Sequence, residues 1–222
     1  MIKKFELDLS SKITVFGIEL FRVKASISFG NVKEGELGGY IAKEGNLSHS
    51  GNAWVSGDAM VSGDAEVSGN AWVYGNAMVS GDARVYGDAR VYGNAMVYGN
   101  AWVSGDAMVS GDARVYGNAM VSGDAWVYGN AMVSGDAEVS GDAEVSGDAE
   151  VSKLNDHIVF KNSWSSGRYF TYTRSNQKWR VGCFYGTSEE LIKKAYQDSE
   201  DSGRHYEAYV NFVKTLEALD DK

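Results

Sequence analysis

Between Gly51 and Ser152 the chain alternates apolar and polar positions with a period of two, nested inside a period of six. Every unit reads Gly-(Asp/Asn)-Ala-x-Val-(Ser/Tyr), and seventeen units follow one another without insertion or break. Ala-x-Val-(Ser/Tyr) has the alternation of a short strand, with Ala and Val on one side and x and Ser/Tyr on the other. Gly followed by Asp or Asn is turn chemistry, because Gly accepts positive φ cheaply and Asx side chains bond nearby backbone. Each unit therefore predicts one short strand and one corner. Ala and Val, the constant pair, are assigned to the interior. Position x holds Trp, Met, Arg or Glu, whose volumes and charges do not fit one stacked interior, and is assigned to the solvent side. One coil cannot offset the roughly 1–2 kcal/mol per residue of backbone entropy lost on ordering it. Neighbouring coils must stack into continuous parallel sheets, and a fixed short period of this kind is the signature of a solenoid.

The flanks have a different grain. Residues 1–50 are strand-like over Phe5–Leu9, Ile13–Phe16 and Glu19–Ile27, and lead into the array through Gly38-Gly39-Tyr40-Ile41 and Gly45-Asn46-Leu47-Ser48-His49-Ser50. The last of these reads as a degenerate repeat, with Leu47 in the Ala place and His49 in the Val place. This segment is expected to cap the open edge of the first coil and to set the register of the stack. After Ser152 the period stops. His157–Lys161, Arg168–Arg174 and Lys178–Tyr185 predict three strands. Thr187 and Glu190 form a capping box that opens a helix, and a second helix is expected from about Arg204 to Leu219. Its core stripe would be Tyr206, Tyr209, Val210, Phe212, Val213 and Leu216.

The unit read as Val-(Ser/Tyr)-Gly-(Asp/Asn)-Ala-x resembles the hexapeptide repeat of left-handed parallel β-helices. That resemblance implies three units per triangular coil of eighteen residues, a left hand, and between five and six coils. At about 4.8 Å per strand the rod would be about 27 Å long. The Gly38–Ile41 lead-in, the array, and the Thr171–Gly186 tail with its two helices are similar to bacteriophage and prophage repeat proteins described as polymer-forming. The expected fold is an all-β solenoid, a left-handed parallel β-helix with three hexapeptides per coil. It carries a β-rich N-terminal cap (1–50), the repeat helix (51–152) and a small α+β C-terminal domain (153–222).

With eighteen residues per coil, position x recurs on one face as Trp54, Trp72, Arg90, Met108, Trp126 and Glu144. A second face carries Met60, Met78, Met96, Arg114, Met132 and Glu150; the third carries Glu66, Arg84, Trp102, Met120 and Glu138. Aromatic and Met side chains gathered on solvent faces point to an interface, with a dimer or trimer of this chain or another partner as the occupant. Sheet faces that simply tolerate scattered apolar residues are the competing explanation. Tyr74 and Tyr92 fall one above the other, as do Tyr98 and Tyr116. Such ladders either stack sugars or bases or only stabilise a sheet. Glu138, Glu144 and Glu150 form a carboxylate ring around the last coil.

The net charge of −9 over 222 residues argues against direct nucleic-acid binding, which needs a basic face. The array alone carries ten Asp, four Glu and three Arg. An acidic rod of this kind could imitate DNA and occupy a host DNA-binding or defence protein. Cys183, the single cysteine, excludes an internal disulfide framework and a cysteine-rich metal cluster, and is expected to be a buried structural thiol. Glu6, Asp8 and Lys12 interrupt the apolar core a signal peptide would need. No run approaches the roughly 20 apolar residues of a membrane span, so a cytoplasmic protein of a bacterial host cell is expected, without membrane contact. Many hexapeptide-family enzymes are acyltransferases with a histidine between subunits and a loop breaking the coils. Residues 51–152 contain no His, Lys or inserted loop, and His49, His157 and His205 lie outside them. Calcium sites need several converging oxygens, which Asp58, Asp112 and Asp148 interrupted by Asn76, Asn94 and Asn130 do not supply. Ice binding by such helices uses ranks of Thr, absent from the array. Trp179, Arg180, Tyr185 and Arg204 are candidates for a small C-terminal ligand pocket. No metal or cofactor is called for. The resulting expectation is a non-enzymatic phage-derived scaffold or binding protein working through its faces. An inhibitor of a host protein or a binder of a small ligand is the alternative, and a hexapeptide-type acyltransferase trails both.

Overall fold

A computed structural model of the chain describes residues 3–220. They divide into two compact units, one up to Leu154 and one from Asn155. In the first, seventeen two-residue strands, β4 (Trp54–Val55) to β20 (Glu150–Val151), recur every six residues. Every third strand pairs in parallel, giving a parallel β-solenoid of about six turns. Its three sheets are the six-stranded one ending in β4 and β19 (Glu144–Val145), the five-stranded one from β6 (Glu66–Val67) to β18 (Glu138–Val139), and a nine-stranded one.

All the repeat Ala and Val side chains are fully buried, as their constancy predicts. In each unit followed by another coil the x and sixth-position N–H groups, and in most units the Asx N–H as well, donate to carbonyls seventeen residues later, as in Asp82 N to Gly99 O (2.9 Å), Arg84 N to Ala101 O (2.9 Å) and Tyr86 N to Val103 O (3.0 Å). Glycine is fixed at the corners for two reasons, seen at Gly87. Its φ is +73°, and a Cβ there would lie 2.9 Å from the backbone N of Gly105 in the next coil.

The first coil has no coil before it, so its carbonyls need other donors. The cap supplies them. Strands β1 (Phe5–Val15) and β2 (Ile18–Ala25) form an antiparallel hairpin. Strand β3 (Leu37–Ile41) pairs antiparallel with β2 and parallel with β5 (Met60–Val61), converting the hairpin into the first rung of the nine-stranded sheet. Tyr40 N and Ala42 N donate to Ala59 O and Val61 O (2.9 and 3.0 Å). On a second side the buried Asn46 donates Nδ2 to Gly63 O and Ala65 O (3.0 and 2.8 Å). On the third, the buried Lys4 donates Nζ to Gly51 O and Ala53 O (3.4 and 2.8 Å). Gly38 and Gly39 lie against this coil: a Cβ on Gly38 would stand 2.5 Å from Val55 O, and one on Gly39 2.6 Å from Ala59 O.

The degenerate repeat is placed differently from its sequence alignment. Leu47, not His49, fills the Val place: it bridges Val67 in parallel, and Ser48 N donates to Val67 O (2.9 Å). Pairing by the Gly positions misses two extra residues between Leu47 and Val55. His49 instead stacks on Phe5 (centroids 4.2 Å apart), accepts from Lys4 N at Nδ1 (3.2 Å) and reaches Glu44 through Nε2 (2.7 Å). Strands β1 and β2 meet at Phe16–Gly17, both at positive φ (49° and 80°). Phe16 is 91% exposed, an unusual residue for the left-handed region.

The second unit is an antiparallel sheet of β21 (His157–Lys161), β22 (Tyr169–Thr173), β23 (Lys178–Val181) and β24 (Phe184–Gly186), in that order. Helices α1 (Ser188–Asp198) and α2 (Glu200–Asp220) follow. The expected third strand is thus two: Gly182 at φ +54° turns the chain, and Val181 pairs with Phe184. The capping box forms as expected, with Glu190 N donating to Thr187 Oγ1 (3.3 Å) and Thr187 N to Glu190 Oε2 (2.8 Å). Helix α2 starts at Glu200, before the expected Arg204. Phe170, Tyr172, Trp179, Leu191, Val210 and Val213 make the core. Phe212, expected in the stripe, is 54% exposed.

Burial pushes the Lys4 ammonium down to about 8 from the ordinary 10.5. Below pH 8 folded and unfolded chains both hold the proton, and the folded chain bears the whole cost of burying charge. Between pH 8 and 10.5 the folded chain sheds it first and that cost falls away. Urea midpoints of the first unit should therefore rise as the pH goes from about 7.5 to about 9.5, and Lys4→Met should flatten the rise. Asn46→Ala should cost about 1–3 kcal/mol in the same measurement, since two carbonyls lose their donor.

Candidate interaction surfaces

Position x lands on the three sheets in the expected columns, in direct register. Trp54 pairs with Trp72, Met60 with Met78, Met78 with Met96, Trp102 with Met120, and Met108 with Trp126. Exposure divides them. Trp102, Met120 and Trp126 stand out into solvent, as does Tyr86. Trp72, Met60, Met78, Met96, Met108 and Met132 are half-buried between neighbours. Trp54 is the exception: it is 1% exposed and covered by the cap, with Phe29 edge-on at 5.4 Å and Gly38 against its ring. It is a core residue, not a surface one, and its Nε1 has no hydrogen-bond partner. Of the three outward side chains on the first coil only Trp54 is covered by the cap, while Met60 is half-buried and Glu66 exposed, a difference the repeat alone does not reveal.

The two tyrosine pairs stack nearly parallel, Tyr74 on Tyr92 at 4.9 Å and 3° and Tyr98 on Tyr116 at 5.0 Å and 2°. Arg84 lies over the Trp102 ring at 5.3 Å, with Tyr86 edge-on to it. Along the corners the Asn residues do something the composition did not announce. Each of the seven donates Nδ2 to Oδ1 of the Asx one coil later, at 2.9–3.2 Å. Every run ends on an aspartate: Asn52–Asn70–Asp88, Asn76–Asn94–Asp112, Asn100–Asn118–Asp136 and Asn130–Asp148. An amide offers both donor and acceptor, whereas an ionised carboxylate only accepts, so Asp is the natural last rung. The signal was present in the Asx columns read at eighteen-residue spacing. Beyond Asp88 the same edge continues as Asp106, Asp124 and Asp142, four carboxylates on successive coils.

The C-terminal candidates do not converge. Trp179 is in the core and donates Nε1 to Ser188 Oγ (3.0 Å). Arg180 is the next residue along β23 and so lies on the opposite face, paired in register with Tyr185. Tyr185 accepts from Asn176 Nδ2 (3.2 Å), and Arg204 donates to Glu200 one helical turn away (3.2 Å). Strand alternation separates Trp179 from Arg180 and Tyr185, and Arg204 stands on α2. Cys183 is exposed in the β23–β24 turn, not buried in a strand. Among the described residues no group of three or more His, Cys, Asp or Glu is placed to hold a metal ion, and no helix is long and apolar enough to cross a membrane.

Three parallel sheets wound from an unbroken hexapeptide, capped at the first coil and bearing aromatic faces, define a β-solenoid repeat protein, an architecture suited to scaffolding or binding. The repeat is similar to the YdcK beta solenoid repeat, whose family model matches residues 71–87, 89–105, 113–128 and 125–141. No curated protein matches the chain.

The corner ladders make stability depend on Asn and Asp order. Asp106→Asn removes one of four adjacent like charges and gives Asp124 a donor. It should stabilise the solenoid by about 0.2–1 kcal/mol in thermal or urea unfolding. Asn94→Asp should destabilise it by a similar amount, and the loss should shrink in about 1 M salt.

Proposed function

We propose that the protein is a non-enzymatic scaffold that pairs with a second copy of itself through the five-stranded sheet of its solenoid. One observation carries this. Along that sheet the outward residues run Arg84, Trp102, Met120 and Glu138 on four successive coils. A two-fold axis lying between the two facing sheets, parallel to their strands and level with the gap between Trp102 and Met120, would set Arg84 of one copy opposite Glu138 of the other. The same axis sets Trp102 opposite Met120. The sequence is self-complementary when read antiparallel, which is what an isologous interface requires. The two central side chains are exposed, Trp102 at 38% and Met120 at 40%, and Tyr86 on the Arg84 coil stands out beside them at 37%. A Trp–Met centre with a charged rim has the composition of an interface core. The likeness of the flanks and array to phage and prophage repeat proteins supports a bacterial cytoplasmic setting. The DNA-mimic reading draws less support, because seven corner side chains are neutral amides engaged in ladders.

The test is solution mass by light scattering behind a sizing column over a range of concentrations. The wild-type chain should run at twice its 24.1 kDa monomer mass. Arg84→Glu should shift the equilibrium towards monomer by setting Glu against Glu at both rims, and Arg84→Glu with Glu138→Arg should restore the dimer. A monomer at every concentration would sink the proposal, as would a dimer indifferent to Trp102→Glu.

A further inference from the structure

The six-stranded sheet bears a groove of about 560 Å³, bounded on one side by the cap turn Gly30–Asn31. The turn is held in place: Phe29 N and Val32 N each donate to the other's carbonyl (3.0 and 2.8 Å), and Phe29 packs on the buried Trp54. The groove crosses the first three coils from corner to corner. Its volume lies within the usual range of small-ligand sites, about 300–1,000 Å³.

Two features of the repeat sequence create it. The sixth-position column on this sheet begins Ser56, Tyr74, Tyr92. Tyr74 stacks on Tyr92, but one coil earlier stands a serine, so the Tyr74 face turned towards the first coil has no ring against it. The ladder lacks a rung above Ser56, and Ser56 lines the groove. In the neighbouring column the cap buries Trp54 and leaves Trp72 as the first uncovered indole, also lining the groove. Ring faces thus meet at one place.

The opposite rim is Asn52, Asn70 and Asp88. Asn52 donates to Asn70 (3.2 Å) and Asn70 to Asp88 (3.1 Å). Each amide retains a second N–H, and Asp88 a second oxygen, so the rim offers donors and acceptors together. The charged lining residues are Asp88 and Arg90, which balance. An apolar ligand would leave the amide rim unmet. A polyanion would meet Asp106, Asp124 and Asp142, which continue the rim at the coil spacing of about 4.8 Å. A sugar ring has what remains: an apolar C–H face to lie on an aromatic ring, and hydroxyl edges that both donate and accept.

We infer that this groove binds a short neutral oligosaccharide, with a sugar ring filling the vacant rung between Ser56 and Tyr74 beside Trp72 and its hydroxyls held by Asn52, Asn70 and Asp88. The site lies on a different sheet from the pairing face, so either can fail without the other. Neutral hexasaccharides (maltohexaose, cellohexaose, laminarihexaose, chitohexaose and mannohexaose) are titrated into the full chain to about 10 mM, followed by tryptophan fluorescence and calorimetry. At least one should bind with a millimolar or tighter Kd. Tyr74→Ala should weaken it about tenfold or more, in line with the loss of a stacking platform. Ser56→Tyr should abolish it by filling the rung with the residue that six other repeats carry there, and circular dichroism of the variant should match the wild type. Trp126→Ala, on the same sheet outside the groove, should leave binding unchanged. The inference is overturned if no member of the panel binds at that concentration, if binding survives both Tyr74→Ala and Ser56→Tyr, or if a sulfated oligosaccharide binds more tightly than every neutral one.

Discussion

Each coil of the solenoid hands its hydrogen bonds to the next, and the rest of the unit follows from that handover. Asx, x and sixth-position N–H groups reach carbonyls seventeen residues on, so a coil is satisfied only when another lies beside it. The cost concentrates at the ends, where the bonds must be replaced by something that is not a repeat. On the first coil the replacement takes three chemical forms: a backbone strand, an amide side chain and a buried ammonium. Lys4 is the most expensive of these, since an ammonium removed from water must recover its hydration from two carbonyls. The same need for close coil contact fixes Gly at the corners and makes the Asx side chains neighbours, from which the amide ladders arise.

The repeat was legible because the pattern is local and restated seventeen times. Ala and Val could only be interior, and the columns of Trp, Met and Tyr followed once the coil length was known. The strands of the cap were legible from their apolar alternation, but its contacts with the first coil were not. Lys4 reaches Ala53 across 49 positions and Asn46 reaches Ala65 across 19, and neither contact leaves a periodic trace. The two residues between Leu47 and the array that shift its alignment are equally silent, because a Gly-Asn pair resembles a corner whether or not it serves as one. In the C-terminal unit the Thr187–Glu190 box was readable as a local code. The turn at Gly182 was hidden inside a run of strand formers, and with it the exposure of Cys183. Trp54 shows the same limit from the other side, a surface residue by pattern and a core residue by position in the stack.

The faces and the groove draw their character from departures within the repeat. A solenoid of identical units would present three featureless walls. Here serine replaces tyrosine at one rung, arginine precedes a Trp–Met pair on one sheet, and glutamate closes all three sheets at the last coil. None of these changes touches the Ala–Val interior, so surface chemistry and fold can vary independently.

That independence has a geometric condition. Because three units complete a turn, losing or gaining a single six-residue unit would rotate everything downstream by one side, moving each column onto a different sheet. An eighteen-residue change would instead leave every column in place and alter only the distance along the axis, by about 4.8 Å. Length in this molecule is therefore quantised: whole turns act as graduations on a ruler, and fractional ones reshuffle its markings.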